Sequence, residues 1–236
     1  MKAIKFFTAF AALLLSGCSA HQPTIALDPG HTPQQAGALD VRGIYEVAYN
    51  DRFAAELAQS LRHAGWHVIL TRQPGQAIGL HRRAELANQL KAKIFLSIHH
   101  DSAQTRYLKS VSYQGKPAWQ TVRPIQGSSL YVSGKNPRFG QSLAVAESIG
   151  RQLNFIGRQP ALHHSEPING ENRPLLNAEY AIYQYDDLAV LRLTRMPAVL
   201  LEMGVIVDQR DENLIENPIY RQKMLRAIVN GLAPFQ

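Results

Sequence analysis

Short β-prone runs alternate with stretches of helical spacing along most of this chain, and that alternation constrains the fold more than any other feature. Residues 24–27 form a first apolar run, stopped by Asp28-Pro29-Gly30. Residues 45–64 read as a helix, because Phe53, Leu57, Leu61 and Ala64 recur at three-to-four spacing and Gly65 closes it. A strand at 66–71, a helix at 80–91 and a strand at 94–98 continue the pattern. Further on come a strand at 127–132, a helix at 137–153, a strand at 196–203 introduced by Pro197, and a helical stretch at 211–232 broken at Pro218. Strands separated by helices predict an α/β fold with helices on both faces of a mostly parallel sheet. Two stretches, 103–126 and 156–187, lack clear periodicity and are longer than ordinary connections, which makes them candidate binding loops. No internal repeat, linker or low-complexity tract divides the chain, so one domain is expected.

The first residues differ from the rest. Lys2 and Lys5 precede an apolar run of about ten residues, too short to span a bilayer and suited to a signal-peptide core. It ends in Leu15-Ser16-Gly17-Cys18, which resembles the lipobox of bacterial lipoproteins. That resemblance implies a signal peptide at 1–17, acylation of Cys18, and a short tether at 18–23 before a domain at 24–236. Cys18 is the only cysteine, so the folded body has no disulfide, no sulfur ligand and no thiol nucleophile. Two or more acyl chains would hold the protein stably on a membrane. Ser19 stands where an Asp often signals inner-membrane retention, which favours the periplasmic face of the outer membrane in a Gram-negative cell. The formal charge is +7, of which Lys2 and Lys5 belong to the leader. A modest positive excess suits an anionic polymer. An exported chain without a basic cluster argues against a nucleic-acid partner.

Four residues sit where an α/β fold assembles its sites. His31 follows the first strand, Glu46 opens the first helix, His99 ends the strand at 94–98, and Glu202 lies near the end of Ala198-Val199-Leu200-Leu201-Glu202-Met203-Gly204. The carboxyl ends of parallel strands share one edge, so His31, His99 and Glu202 can converge there, and Glu46 can join if the loop after His31 folds back. Two imidazoles and one carboxylate form a common catalytic zinc set with an open position for water. A second carboxylate can take the water's proton and pass it to a leaving nitrogen. A carboxylate inside Val-Leu-Leu-Glu-Met is costly to bury without a reason.

The ordered string of segments resembles the zinc-dependent N-acetylmuramoyl-L-alanine amidases of the Amidase 3 family. The matching pieces are Asp28-Pro29-Gly30-His31, then Gly43 and Glu46, then Gly65-Trp66-His67-Val68-Ile69-Leu70-Thr71-Arg72. Leu80, Arg83, Ala87 and Asn88 follow, then Ser97-Ile98-His99, and last Leu191-Arg192 with Pro197 to Leu200, Glu202 and Gly204. The resemblance implies a twisted, mostly parallel sheet of about six strands. It implies His31, Glu46 and His99 as ligands of one zinc and Glu202 as the catalytic carboxylate. It further implies cleavage of the amide between the lactyl group of N-acetylmuramic acid and L-alanine in peptidoglycan. Another zinc peptidase of the cell wall, or a non-catalytic peptidoglycan-binding lipoprotein, are the alternatives.

The chain departs from the family pattern in places. His100-Asp101-Ser102 replaces Ala-Asn-Ala, so either His99 or His100 could face the metal; the motif register favours His99. The loop after His31 is Thr32-Pro33-Gln34-Gln35 instead of Gly-rich. Stretch 103–126, where some members carry an autoinhibitory helix, reads as a loop. Asn50, one helical turn after Glu46, is placed to orient that carboxylate. Arg72 and Arg83 are expected to brace the sheet edge. His163 and His164 read as exposed loop residues, with substrate contact or a second metal as alternatives. His63, His67 and His81 fall on surfaces and receive no role. The lipobox carries the first prediction: Cys18→Ser should abolish incorporation of radiolabelled fatty acid and leave the chain unprocessed or soluble, and continued labelling would refute it.

Overall fold

The computed structural model describes residues 22–236; the signal peptide and Cys18 lie outside the described residues. The elements run β1 (Thr24–Pro29), α1 (Glu46–His63), β2 (His67–Leu70), α2 (Leu80–Gln89), β3 (Ile94–Asp101), β4 (Leu108–Tyr113) and β5 (Lys116–Thr121). They continue with β6 (Ser129–Val132), α3 (Phe139–Phe155), β7 (Leu175–Asn177), β8 (Ile182–Gln184), α4 (Ala189–Leu193), β9 (Ala198–Val205), α5 (Gln209–Glu216) and α6 (Pro218–Leu232). The main sheet has seven strands in the order β2-β1-β3-β9-β6-β8-β7. Strands β2, β1, β3 and β9 are mutually parallel, β6 runs antiparallel to β9, and β7 antiparallel to β8. Among the described residues no helix is long and apolar enough to cross a membrane.

Alternation along the central strands supplies two cores. Ile25, Leu27, Leu96, Ile98, Leu201 and Met203 face one side and pack with Phe53 and Leu57 of α1, Val145 and Ile149 of α3, and Met224 and Ile228 of α6. Ala26, Phe95 and Leu200 face the other side and pack with Ala87 of α2 and Val190 and Leu191 of α4. The α/β class and the mostly parallel sheet are those expected. The seventh strand arises because β7 and β8 are three-residue strands inside 156–187, too short to show a period. Stretch 103–126 is likewise no loop. It forms the β4–β5 hairpin, turned at Gln114-Gly115, both with positive φ (51° and 80°), as a tight two-residue hairpin turn requires. The break at Pro218 separates two helices. Asn217 caps α6 by accepting from the Ile219 and Tyr220 amides, and Pro218 occupies the first turn, where no amide is needed.

Buried charge fastens the end of β1. Asp28 accepts hydrogen bonds from Ser97 Oγ (2.7 Å), Thr71 Oγ1 and Arg83 Nη1 (3.1 Å). Arg83 also donates to the carbonyls of Pro29 (2.8 Å), Ile78 (2.9 Å) and His31. Arg72 donates to the Pro29 and Gly30 carbonyls at 3.0 and 2.7 Å and pairs with Asp51 at 2.6 Å. The two arginines thus brace the segment that carries His31, satisfying carbonyls that an irregular turn would otherwise leave orphaned. Arg83→Met should strand the Asp28 carboxylate, and loss of one partner of a buried pair costs about 3–5 kcal/mol. Urea unfolding of this variant is expected to show that loss; a change under about 1 kcal/mol would contradict the role of the pair.

Candidate metal centre

The site grows from the parallel register of the central strands. Ile98 pairs with Pro29 and His99 pairs with Glu202, so the ends of β1, β3 and β9 lie side by side. Beyond Pro29 the Gly30 amide still donates to the Ile98 carbonyl (2.9 Å), and His31 then turns into the left-handed region (φ 64°). The chain folds back through residues 32–45 and enters α1 at Glu46, whose amide donates to Ala38 O at 2.8 Å. Two glycines make room. A Cβ on Gly30 would lie 2.3 Å from His99 Nε2, and one on Gly37 (φ 78°) would lie 2.4 Å from Glu46 Oε2 and 2.8 Å from His31 Cδ2.

His31, Glu46 and His99 come together there, with one ligand atom from each lying within 4.8 Å of the others. Glu46 Oε2 is 2.8 Å from His31 Nε2, and Oε1 is 3.0 Å from His99 Nδ1. His31 Nδ1 contacts the Gln35 carbonyl at 3.1 Å, which makes Nδ1 the donor and turns the Nε2 lone pair toward the cluster. Glu46 also accepts from Asn50 Nδ2 (3.0 Å), the His100 amide (3.2 Å) and the Ala38 amide (3.3 Å). Burial would push the Glu46 carboxyl up, yet the bonds from His31 and His99 outweigh it and hold the group well below the carboxylate range. His31 is raised: burial works against its charge, and the Glu46 carboxylate more than offsets that. An imidazole lone pair and a carboxylate oxygen at hydrogen-bond distance need a proton or a cation between them. Two nitrogens and one carboxylate, without sulfur, suit zinc.

His100 faces the opposite side of β3. Its Nδ1 contacts Asn50 Oδ1 at 2.8 Å, its ring packs near Tyr49 and Phe53, and burial lowers its pKa to about 3. Asn50 therefore bridges Glu46 and His100. Glu202 shares the His99 face of the sheet. Its Oε2 is shielded from solvent and has no hydrogen-bond partner. Burial pushes the carboxyl well above its ordinary value, and the charges of Asp101 and Glu46 add to the shift.

Two adjoining depressions of about 420 and 240 Å³ share His99, Leu188 and Leu200 in their walls. The larger holds His31, Gln34, Gln35 and Arg83; the smaller holds Glu202, Asp101, His164, Tyr131, Arg173 and Tyr185. Sequence reasoning missed Asp101, Tyr131, Arg173 and Tyr185. It also misplaced His163 and His164, which are buried at 7% and 8% exposure because the 156–187 segment folds over the end of β3.

The shifted carboxyl has a measurable consequence. Glu202 holds its proton more tightly folded than unfolded, so its contribution to stability is present below about pH 4.5 and is lost as pH rises through the raised folded value. After chelator treatment, Glu202→Gln should melt like the native chain near pH 4. It should melt higher at pH 8, by at least the 2–4 °C that roughly 1 kcal/mol makes in a chain of this size. A difference that does not grow with pH would contradict the burial of this group.

A family model described as N-acetylmuramoyl-L-alanine amidase matches residues 25–234. A protein of Haemophilus influenzae named a probable N-acetylmuramoyl-L-alanine amidase AmiB is 26% identical over 98% of this chain and 56% of its own length. A protein of Staphylococcus epidermidis named a probable cell wall amidase LytH is 28% identical over 90% of this chain and 58% of its own. The chain thus spans little more than half the length of these curated relatives. The solved structure of the N-acetylmuramyl-L-alanine amidase Ami1 from Mycobacterium smegmatis superposes with a TM-score of 0.68 at 24% identity, covering 90% of this chain and 96% of that one.

Proposed function

The chain belongs to the N-acetylmuramoyl-L-alanine amidase family, and from that premise we propose that residues 24–236 are a zinc-dependent hydrolase of peptidoglycan. It cleaves the amide between the lactyl group of N-acetylmuramic acid and L-alanine. The observation that carries the reading is the pairing of His99 with Glu202 across β3 and β9. It sets a half-buried carboxyl, whose Oε2 is shielded and unpartnered, beside the His31, Glu46 and His99 cluster, at the wall of a cleft that reaches both.

His31, Glu46 and His99 are the residues that would hold zinc, and Asn50 fixes Glu46 through its amide nitrogen. When bound, zinc supplies Lewis acidity to the scissile carbonyl and to the attacking water. Glu202 accepts the water's proton as the new carbon–oxygen bond forms, and returns it to the stem-peptide nitrogen as the carbon–nitrogen bond breaks. The products are a lactyl carboxylate and a free alanine amine. A carboxylate whose proton affinity is raised by burial is a stronger base toward the water's proton than an exposed one. Leu188 and Leu200 supply apolar wall around the polar groups, as small-molecule clefts commonly do. The enzyme works in the cell envelope, held to the membrane through acylated Cys18.

Two carboxylates with different duties make the test. Glu202→Gln should keep its zinc and its binding to purified peptidoglycan while turnover of muropeptides falls by roughly 10²–10⁴-fold. Glu46→Gln and His31→Ala should instead lose about one equivalent of zinc per chain, since two remaining ligands rarely hold the ion. Free stem peptide is the expected product. Shortened peptides would identify a cell-wall peptidase instead, and absence of any product from zinc-loaded protein a binding module. Near-normal turnover by Glu202→Gln would remove Glu202 from the reaction.

A further inference from the structure

A second cluster stands at the far wall of the smaller depression, built by residues that the proposed reaction does not use. Asp101 is the last residue of β3, two beyond His99. His163 and His164 lie in a single 3₁₀ turn, His163–Ser165, folded over it, with their rings 3.9 Å apart. Asp101 Oδ2 is 2.7 Å from His164 Nε2 and 3.4 Å from His163 Nε2. On its other side, His164 Nδ1 is 2.8 Å from Glu171 Oε2. Glu171 is itself held by Gln104 Nε2 at 3.0 Å, with Arg173 Nε at 3.8 Å.

His164 sits between two carboxylates, so something positive must stand at each ring nitrogen. A doubly protonated ring would satisfy Asp101, His164 and Glu171. It would not account for His163. Both His163 ring nitrogens are shielded from solvent, and neither makes a hydrogen bond. Apart from the Asp101 contact at 3.4 Å, which lacks hydrogen-bond geometry, this imidazole is buried without a polar partner, and such a group in a native fold calls for one. A cation shared with Asp101 gives it one.

We propose that Asp101, His163 and His164 form a second site for a divalent cation of the zinc class, with Glu171 orienting His164. Two imidazoles and one carboxylate match the donor preference of zinc and its neighbours, and not of calcium or magnesium. The Glu171–His164 contact is the carboxylate–histidine pairing that fixes a metal-binding ring and its tautomer. Bonds of about 2.0–2.1 Å set tetrahedral donors roughly 3.4 Å apart, the spacing that His163 and Asp101 already have. His164 and Asp101, at 2.7 Å, are as contracted as His31 and Glu46 are at 2.8 Å. The site shares its depression with Glu202, so its ion adds positive charge to the wall of the cleft. The proposal depends neither on the amidase reading nor on the occupancy of the first centre.

Zinc counting on the full chain tests it. After loosely held metal is removed, elemental analysis should find about two equivalents of zinc per chain. It should find about one in His31→Ala, about one in His163→Ala, and almost none in the double variant. Two equivalents remaining in His163→Ala, or a single equivalent that disappears entirely in His31→Ala, would overturn the second site. Should His163→Ala fail to fold, cobalt(II) titration of chelator-treated His31→Ala keeps the question open to measurement. Visible absorption should saturate at about one equivalent, and Glu171→Gln in that background should weaken binding by roughly 10–100-fold. No visible absorption, or affinity unmoved by Glu171→Gln, would refute the proposal.

Discussion

Parallel alignment of β1, β3 and β9 is the constraint on which the rest of the molecule depends. Because the three strands run the same way and in register, their carboxyl ends open on one edge. Side chains alternate along each strand, so the same register that sends Leu96, Ile98 and Leu201 into one core sends His99 and Glu202 to the other face. A slip of one residue in β9 would turn Glu202 into the helical core and Leu201 toward the cleft. Core packing and site assembly are therefore enforced by one pattern of hydrogen bonds.

Charge is concentrated where that edge leaves regular structure. The turn after β1 exposes carbonyls that no strand can satisfy, and Arg72 and Arg83 reach across to bind them. Asp28 balances Arg83 and ties in Thr71, just beyond β2, and Ser97 of β3. These charges sit at the base of the site and bind the Gly30 and His31 carbonyls where His31 takes a left-handed backbone conformation, one uncommon for a residue other than glycine. Gly30 and Gly37 remove the atoms that would otherwise fill the space taken by His99 and Glu46. The centre is thus prepared by the scaffold before any ligand reaches it, which is the condition for holding reacting groups in place.

The long segments do different work. The β4–β5 hairpin lies over the 36–45 loop, with the Trp119 amide donating to Asp40 O at 3.1 Å. Segment 156–187 contributes β7 and β8 to the sheet and lays His163 and His164 over Asp101. Tyr107 and Arg123, flanking the hairpin, bind Glu166 and connect the two segments, Tyr107 Oη at 2.5 Å. Segment 156–187 supplies His164, Arg173 and Tyr185 to the smaller depression, although it has no periodic signal of its own.

Elements with a repeating pattern were legible in the residues alone. The helix at α1 follows from Phe53, Leu57 and Leu61, the break between α5 and α6 from Asn217-Pro218, and the α/β class from the alternation of such elements. His31, Glu46, His99 and Glu202 could be picked out because each falls at a strand end or helix start, and parallel strands bring such ends together. That His99 and His100 face opposite sides was legible too, since neighbours on a strand alternate, but only the motif register favoured His99 as the one at the cluster. Three-residue strands have no measurable period, so β7 and β8 were not legible. The burial of His163 and His164 was not legible either. A histidine pair in a loop carries no information about what lies above it. Only the tertiary fold decides that Asp101, 62 and 63 residues earlier in the chain, meets them there, because the contact is made by the path of an aperiodic segment and not by any local preference of the residues in it.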